Sequence, residues 1–353
     1  MSLSCLIHRN SVPPWNKSLN NHQIDTKFKT VNKPKVIVTR RWPQAVEHEL
    51  QQRYDVELNE QDIPMDVTQL HDALARADAL CPTVSDKFNA EVLSADPLKT
   101  KILGSYGVGF NHIDLEAAKE RGLVVTNTPE VLTDATADLA MTLLLMVSRR
   151  AGEGERHARA GEWTGWRPTH MMGTQVTGKT LGLIGFGRIA RAVAQRAFQG
   201  FNMRIIFSDP YPPSAEEAKA LGAERRDSVE LVLQEADFVS LHCPGGADTY
   251  RLLNAERLAM MKPSAYLINT ARGDVVEEQA LVDALREGVI KGAGLDVFEA
   301  EPRISPQLVE MQNVVLLPHL GSATEETRVD MGMRVLENLD GFFANKEPRD
   351  RVV

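Results

Sequence analysis

Thr180-Leu-Gly-Leu-Ile-Gly185-Phe-Gly187-Arg-Ile-Ala190 is an apolar run that ends in a glycine-bracketed turn and passes into a helix-compatible stretch, 191–198. Each glycine has a physical purpose there. Gly185 permits the tight turn, and Gly187, lacking a Cβ, lets a diphosphate approach the backbone. Small Ala190 lets helix and strand pack closely. The amides that open the helix then face the phosphates, with the positive end of its dipole behind them. A lone glycine pattern is a weak signal, but the strand before it and the helix after it strengthen it.

The next apolar run, 204–208, ends at Asp209, and 209 − 190 gives 19 residues. That is where a dinucleotide fold places the carboxylate that accepts hydrogen bonds from the adenosine ribose. A turn carboxylate before Pro210 is the plainer alternative. Asp209 would repel a 2′-phosphate, so NAD(H) is the expected cofactor, ahead of NADP(H). Arg225 and Arg226 lie well downstream and read as solvated. A methyltransferase also uses a glycine turn and a ribose-binding acid, so the reaction must be settled by other residues.

Outward from this turn, short apolar runs alternate with helical spacings. Strands are expected at 35–39, 56–58, 79–81, 102–105 and 124–127, with helices over 45–53, 67–77 and 115–121. A long helix follows over 134–150, with Thr133 as its cap and Leu139, Leu143, Leu144 and Val147 as its buried stripe. Residues 152–178, glycine-rich and carrying Trp163, Trp166 and Pro168, read as an irregular connector or arm. Strands then resume at 180–184, 204–208, 238–241, 266–269, 292–296 and 314–316, before a last helix over 324–343. Such alternation implies parallel sheets, because crossovers between parallel strands need a helix. The expected fold is therefore α/β, with one such unit before residue 150 and one after it.

Composition agrees. The 353 residues suit two domains at roughly 100–200 residues each. Against 48 Asp and Glu stand 40 Lys and Arg, and the net charge of −8 argues against nucleic acid or an anionic membrane as partner. The longest apolar run, 139–147, falls far short of the roughly 20 residues of a membrane helix. Three cysteines (Cys5, Cys81, Cys243) without CxxC spacing fit a reducing compartment, the cytoplasm, and no disulfide framework. Residues 1–32 are rich in Asn, Ser and Lys with Asp25 as their one acid. They read as a disordered extension outside the fold, with too short an apolar stretch for a secretory signal.

Dinucleotide sheets bind ligands beyond the carboxyl ends of their strands. Those ends offer Asn269-Thr270-Ala271-Arg272-Gly273, then Asp296, then Pro318-His319. Glu301 lies in a short loop between Ala300 and Pro302. Taken singly, Arg272 reads as a surface ion-pair arginine, Glu301 as a solvated acid and His319 as structural. At successive strand ends beside a nucleotide turn they form a constellation able to fix a carboxylate, hold an imidazole and move its proton. The nine histidines show no HExxH spacing, and no Cys/His cluster suits zinc.

From Lys35 to Arg349 the sequence resembles the D-isomer-specific 2-hydroxyacid dehydrogenases, most closely the glyoxylate/hydroxypyruvate reductases. The resemblance rests on Ser105-Tyr-Gly-Val-Gly-Phe-Asn-His-Ile-Asp114, Thr126-Asn-Thr-Pro-Glu-Val-Leu-Thr-Asp-Ala-Thr-Ala-Asp138, the Gly185 turn, Leu241-His-Cys-Pro244, Asn269-Thr-Ala-Arg-Gly273, Gly294-Leu-Asp-Val-Phe-Glu-Ala-Glu-Pro302 and Pro318-His-Leu-Gly-Ser-Ala-Thr324. It implies two doubly wound parallel-sheet domains, Rossmann-like and flavodoxin-like, with a cleft between them. Residues 33–132 and 320–353 would form the substrate domain and 133–319 the cofactor domain.

The resemblance also implies roles. Arg272 would bind the carboxylate and carbonyl of a 2-oxo acid, His319 would be the acid/base, and Glu301 its paired carboxylate. Asp296 would lie near the nicotinamide end. Backbone amides of Val108 and Gly109 would hold the substrate carboxylate. Cofactor contacts would come from Thr136, Gly185, Gly187, Arg188, Ile189, Asp209, Cys243, Pro244, Thr249, Thr270, Ala271 and Gly321, joined by Arg272, Asp296 and His319. A homodimer is expected, with Trp163 and Trp166 where relatives project an arm across the interface. His112 reads as structural and Cys243 as a buried strand-end thiol. Glyoxylate or hydroxypyruvate is the expected substrate; 3-phosphoglycerate and bulkier 2-oxo acids are the alternatives. Outside enzymology, a nucleotide-sensing corepressor or scaffold is the competing class.

Overall fold

Parallel strands buried on both faces need apolar side chains throughout, and the computed structural model, which describes residues 33–353, places parallel strands, all but two edge strands largely buried, in two sheets. The first contains β1 (Lys35–Val38), β2 (Asp55–Leu58), β3 (Ala79–Cys81), β4 (Ile102–Gly104) and β5 (Val124–Thr126). Their order is β2-β1-β3-β4-β5, every pair parallel, with Val36 in register with Val56 and Ala79. The second holds β6 (Thr180–Ile184), β7 (Arg204–Ser208), β8 (Ala223–Arg225), β9 (Phe238–Leu241), β10 (Tyr266–Asn269), β11 (Gly292–Leu295) and β12 (Val314–Leu316). Its order, β12-β11-β10-β9-β6-β7-β8, reverses between β6 and β9, the switch point where such sheets open a crevice. The extension expected over 1–32 lies outside the described residues.

Each sheet is covered on both faces. Ala137, Ala140, Leu143, Leu144 and Val147 of the helix Thr133–Ser148 join Leu181, Leu183 and Ile268 in one core of the second sheet. Leu281, Val282 and Leu285 help to cover its other face. Fully burying a side chain of this size stabilises by roughly 1.5–3 kcal/mol, which explains why the stripe dictates where the helix lies. The last helix, Glu325–Phe343, returns to the first sheet, where Met331, Val335, Leu336 and Leu339 pack with Val36, Val38 and Leu50. The chain end then pairs with β5: Val125 N–H donates to Val353 O (3.0 Å), and Val352 N–H to Val125 O (2.7 Å). No described helix is long and apolar enough to cross a membrane.

Several local expectations are corrected. Thr133 is the first helical residue rather than the cap; Leu132 occupies the cap without a side-chain bond, and Leu139 is only half-buried. The segment read as irregular begins with a helix, Ala151–Arg159, separated from the preceding one by Arg150 in left-handed backbone (φ 52°). None of its residues is buried, so it shows no apolar stripe. Strand β8 was not expected, being a mostly exposed edge with Glu224 and Arg225 in place of an apolar run. Arg226 is not solvated. It is half-buried against Glu235 (2.6 Å) and Glu224 (3.1 Å).

Candidate active site

The turn after β6 has the shape its residues suggest. Gly185 has φ 83°, and a Cβ there would stand 2.7 Å from Cys243 N, so the loops after β6 and β9 meet with no room for a side chain. At Gly187, the cap of the helix Arg188–Phe201, a Cβ would meet nothing within 4 Å. This leaves open backbone at a helix N-terminus, the surface a diphosphate requires. Asp209 is held at the tip of β7 by Phe186 N–H to Oδ2 (2.5 Å) and Tyr211 N–H to Oδ1 (2.6 Å). Each carboxylate oxygen keeps a further lone pair for a ribose hydroxyl. The hydroxyl of Thr270, in the loop after β10, is buried without a partner. These features fit a dinucleotide.

Asn269, the last residue of β10, braces the loop that carries Arg272. Its Nδ2 donates to Arg272 O (2.9 Å), and its Oδ1 accepts from Ala271 N–H (3.0 Å). The sequence signals this role only as an asparagine that closes a strand before a loop. The Arg272 guanidinium reaches across to the loop after β4: a Cβ on Gly109 would stand 1.8 Å from its Nη2. That loop is tied down by Asn127 Nδ2 to Val108 O (2.8 Å) and Thr128 N–H to Gly107 O (2.9 Å). Burial pushes Arg272 below its usual value, against the opposing pull of Glu301 and Asp274.

His319 Nδ1 and Glu301 Oε2 are 2.8 Å apart, each side chain about one-third exposed. Glu301 Oε1 accepts from Phe298 N–H (3.0 Å). Burial raises the carboxyl, but its bonds to His319 and Phe298, with the Arg272 charge, outweigh that and hold Glu301 below the usual range. His319 stands in left-handed backbone (φ 54°), a costly conformation for a bulky residue. Asp296 secures it. Its carbonyl accepts from His319 N–H (2.9 Å), while its carboxylate accepts from Leu320 N–H (2.7 Å) and Gly321 N–H (2.8 Å). Burial raises the Asp296 carboxyl despite these bonds.

Thr136 joins this corner, its hydroxyl donating to Gly321 O (3.0 Å). Other expected contacts are engaged locally. Thr249 spends its hydroxyl on Pro244 O (2.6 Å), Arg188 points toward Glu130, and Ile189 packs at the edge of the core. Cys243 is half-buried rather than buried, its thiol pushed up to about 11 by its surroundings, burial first. Among the described residues no group of His, Cys, Asp and Glu could hold a metal.

Two histidines behind these loops are pushed down to about 4, chiefly by burial: His112, bonded to Ser105 Oγ (3.2 Å) and opposed by the Arg272 charge, and His242, bonded to Ser240 Oγ (2.9 Å). Between about 4 and the ordinary 6.5 the unfolded chain binds protons that the folded one refuses. Stability therefore falls as pH drops through that window, by on the order of 3 kcal/mol per histidine at its lower end. Urea midpoints measured from pH 7 to 4.5 should show the fall. It should flatten in His242→Asn, and an unchanged slope there would contradict the assignment.

Comparison with known proteins places the chain in a family. Residues 141–321 match the NAD binding domain of the D-isomer specific 2-hydroxyacid dehydrogenases. The chain is 46% identical over 325 residues to a glyoxylate reductase of Thermococcus litoralis, covering 91% of this chain and 97% of that one. An NADPH-dependent glyoxylate/hydroxypyruvate reductase from Sinorhizobium meliloti, solved with NADP and malonate, is similar at TM-score 0.81 and 33% identity, over 91% of this chain and 97% of that one. D-Mandelate dehydrogenase of Rhodotorula graminis, in its holo form, gives TM-score 0.80 at 31% identity, over 91% and 97%. The two parallel-sheet domains, the glycine turn and these relatives lead to one conclusion: the chain belongs to the D-isomer-specific 2-hydroxyacid dehydrogenases and is an NAD(P)-dependent dehydrogenase.

Proposed function

We propose that the protein reduces glyoxylate or hydroxypyruvate to the D-2-hydroxy acid, with His319 as proton donor and NADH as the preferred reductant. The observation that carries this reading is the His319–Glu301 pair, 2.8 Å apart, in charge contact with an Arg272 that reaches the Gly109 loop. Residues 33–132 with 320–353 would bind substrate, and 133–319 cofactor.

The bound dinucleotide supplies a hydride from its nicotinamide ring. Arg272 forks onto the substrate carboxylate and its 2-oxo oxygen, and the amides of Val108 and Gly109 take the far carboxylate oxygen. With Nδ1 engaged by Glu301, the imidazole is left with Nε2 for the substrate. As negative charge builds on the carbonyl oxygen, protonated His319 donates its Nε2 proton there. In the reverse direction the neutral ring takes it back. Glu301 stays ionised and fixes the tautomer, while Asp296 holds the backbone that aims the ring.

Asp209 supports NADH over NADPH, since its fixed carboxylate would face a 2′-phosphate. Exposed Trp163 (59%) and Trp166 (82%) support a second copy of this chain as partner, a homodimer. A bulkier 2-oxo acid is a second reading, favoured by the apolar surface that Phe110 and Leu320 present beside Gly109 and His319.

Steady-state assays of glyoxylate, hydroxypyruvate and phenylglyoxylate with both reduced cofactors test the proposal. The two small acids should lead in kcat/KM, and NADH should exceed NADPH by at least about tenfold, a gap of about 1.4 kcal/mol that one misplaced charge readily supplies. Asp209→Ser should narrow it. Absence of NADH oxidation with every 2-oxo acid would favour the scaffold reading.

A further inference from the structure

Glu130 lies in the connection between β5 and the helix Thr133–Ser148, in left-handed backbone with φ 75°. A non-glycine residue holds that conformation at a cost. Its carboxylate gathers three guanidiniums from distant parts of the chain: Arg188 Nη2 at 3.9 Å, Arg334 Nη1 at 3.9 Å and Arg349 Nη2 at 3.3 Å. Arg334 and Arg349 have other acidic partners, Asp350 at 3.4 Å and Glu337 at 3.4 and 3.9 Å. Arg188 has no other ion pair among the described residues. It is the first residue of the helix whose open N-terminus lies at Gly187, and its side chain is 58% exposed.

We propose that Glu130 is a positioning residue for the cofactor site, a counter-charge that parks Arg188 and tempers its grip on the diphosphate. When an anionic dinucleotide arrives, Arg188 swings onto it, and Glu130 keeps Arg334 and Arg349 as partners. Its charge is never stranded, so the exchange is cheap in both directions. The outcome is a bound dinucleotide that leaves more readily than the arginine alone would allow. This rests on the dinucleotide-binding reading of the Gly185 turn.

The test is binding to the full-length protein, read by calorimetry with ADP-ribose and by fluorescence with NADH. Glu130→Gln should tighten both by about two- to fivefold, the range an exposed ion pair supplies, and slow NADH release in proportion. The gain should shrink in about 0.5 M salt. In an Arg188→Met background the same change should alter affinity by less than about 1.5-fold, because the partner is gone. Glu130→Gly, which also relieves the left-handed backbone, should tighten binding likewise and provides a second variant if Glu130→Gln folds poorly. Unchanged or weaker binding in these variants, or an equal gain without Arg188, would overturn the proposal. Failure of the wild-type protein to bind ADP-ribose would instead overturn the dinucleotide reading.

Discussion

His319→Gln should lower kcat for 2-oxo acid reduction by roughly 10²–10⁴-fold, the range that general acid–base catalysis contributes. NADH affinity, titrated by fluorescence, should stay within about twofold of wild type, since acid–base loss by itself leaves ground-state binding intact. His319 carries the one imidazole held by a carboxylate beside Arg272 among the described residues, and glutamine retains polarity and approximate size but cannot transfer a proton. The substituted amide could still bond to Glu301, so the loop fastened by Asp296 should keep its shape. Turnover within about tenfold of wild type would remove His319 from the proton step. A collapse of NADH binding would mark it as a structural residue.

Arg272→Met should cut kcat/KM by about 10²–10³-fold or more, the scale of losing a preorganised charge aimed at a developing oxyanion. Most of the side chain is packed, so methionine can fill much of the volume while removing the fork. Arg272→Lys should recover only part of the loss, because an ammonium cannot bridge a carboxylate and a neighbouring carbonyl in one plane. The substrate KM should rise more than the NADH KM. If both rose equally, the guanidinium would be serving the cofactor site instead.

Most of the fold was legible because all but two edge strands, β2 and β8, are largely buried. Runs such as Tyr266–Asn269 and Phe238–Leu241 contain almost nothing but apolar residues, and the structure reproduces their bounds. Two elements that bury little went unexpected, whereas β2, also little buried, was marked by Val56 and Leu58. Edge strand β8 and the helix Ala151–Arg159 bring no apolar stripe, and tertiary context alone decides them. Legibility of the site follows a similar division. Arg272, Asp296 and His319 stand where strands end, a place the alternation itself marks. Asn269 and Glu130 act through contacts with remote segments or turn backbone, which spacing does not encode.

The abutment of Arg272 on Gly109 brings together loops of the two sheets, so the proposed substrate site draws on both. One contributes the charge and, nearby, the imidazole pair; the other contributes the loop beneath it. On the proposed reading, changes in the loops of the first sheet would alter which 2-oxo acid fits while leaving the residues proposed for reduction in place on the second.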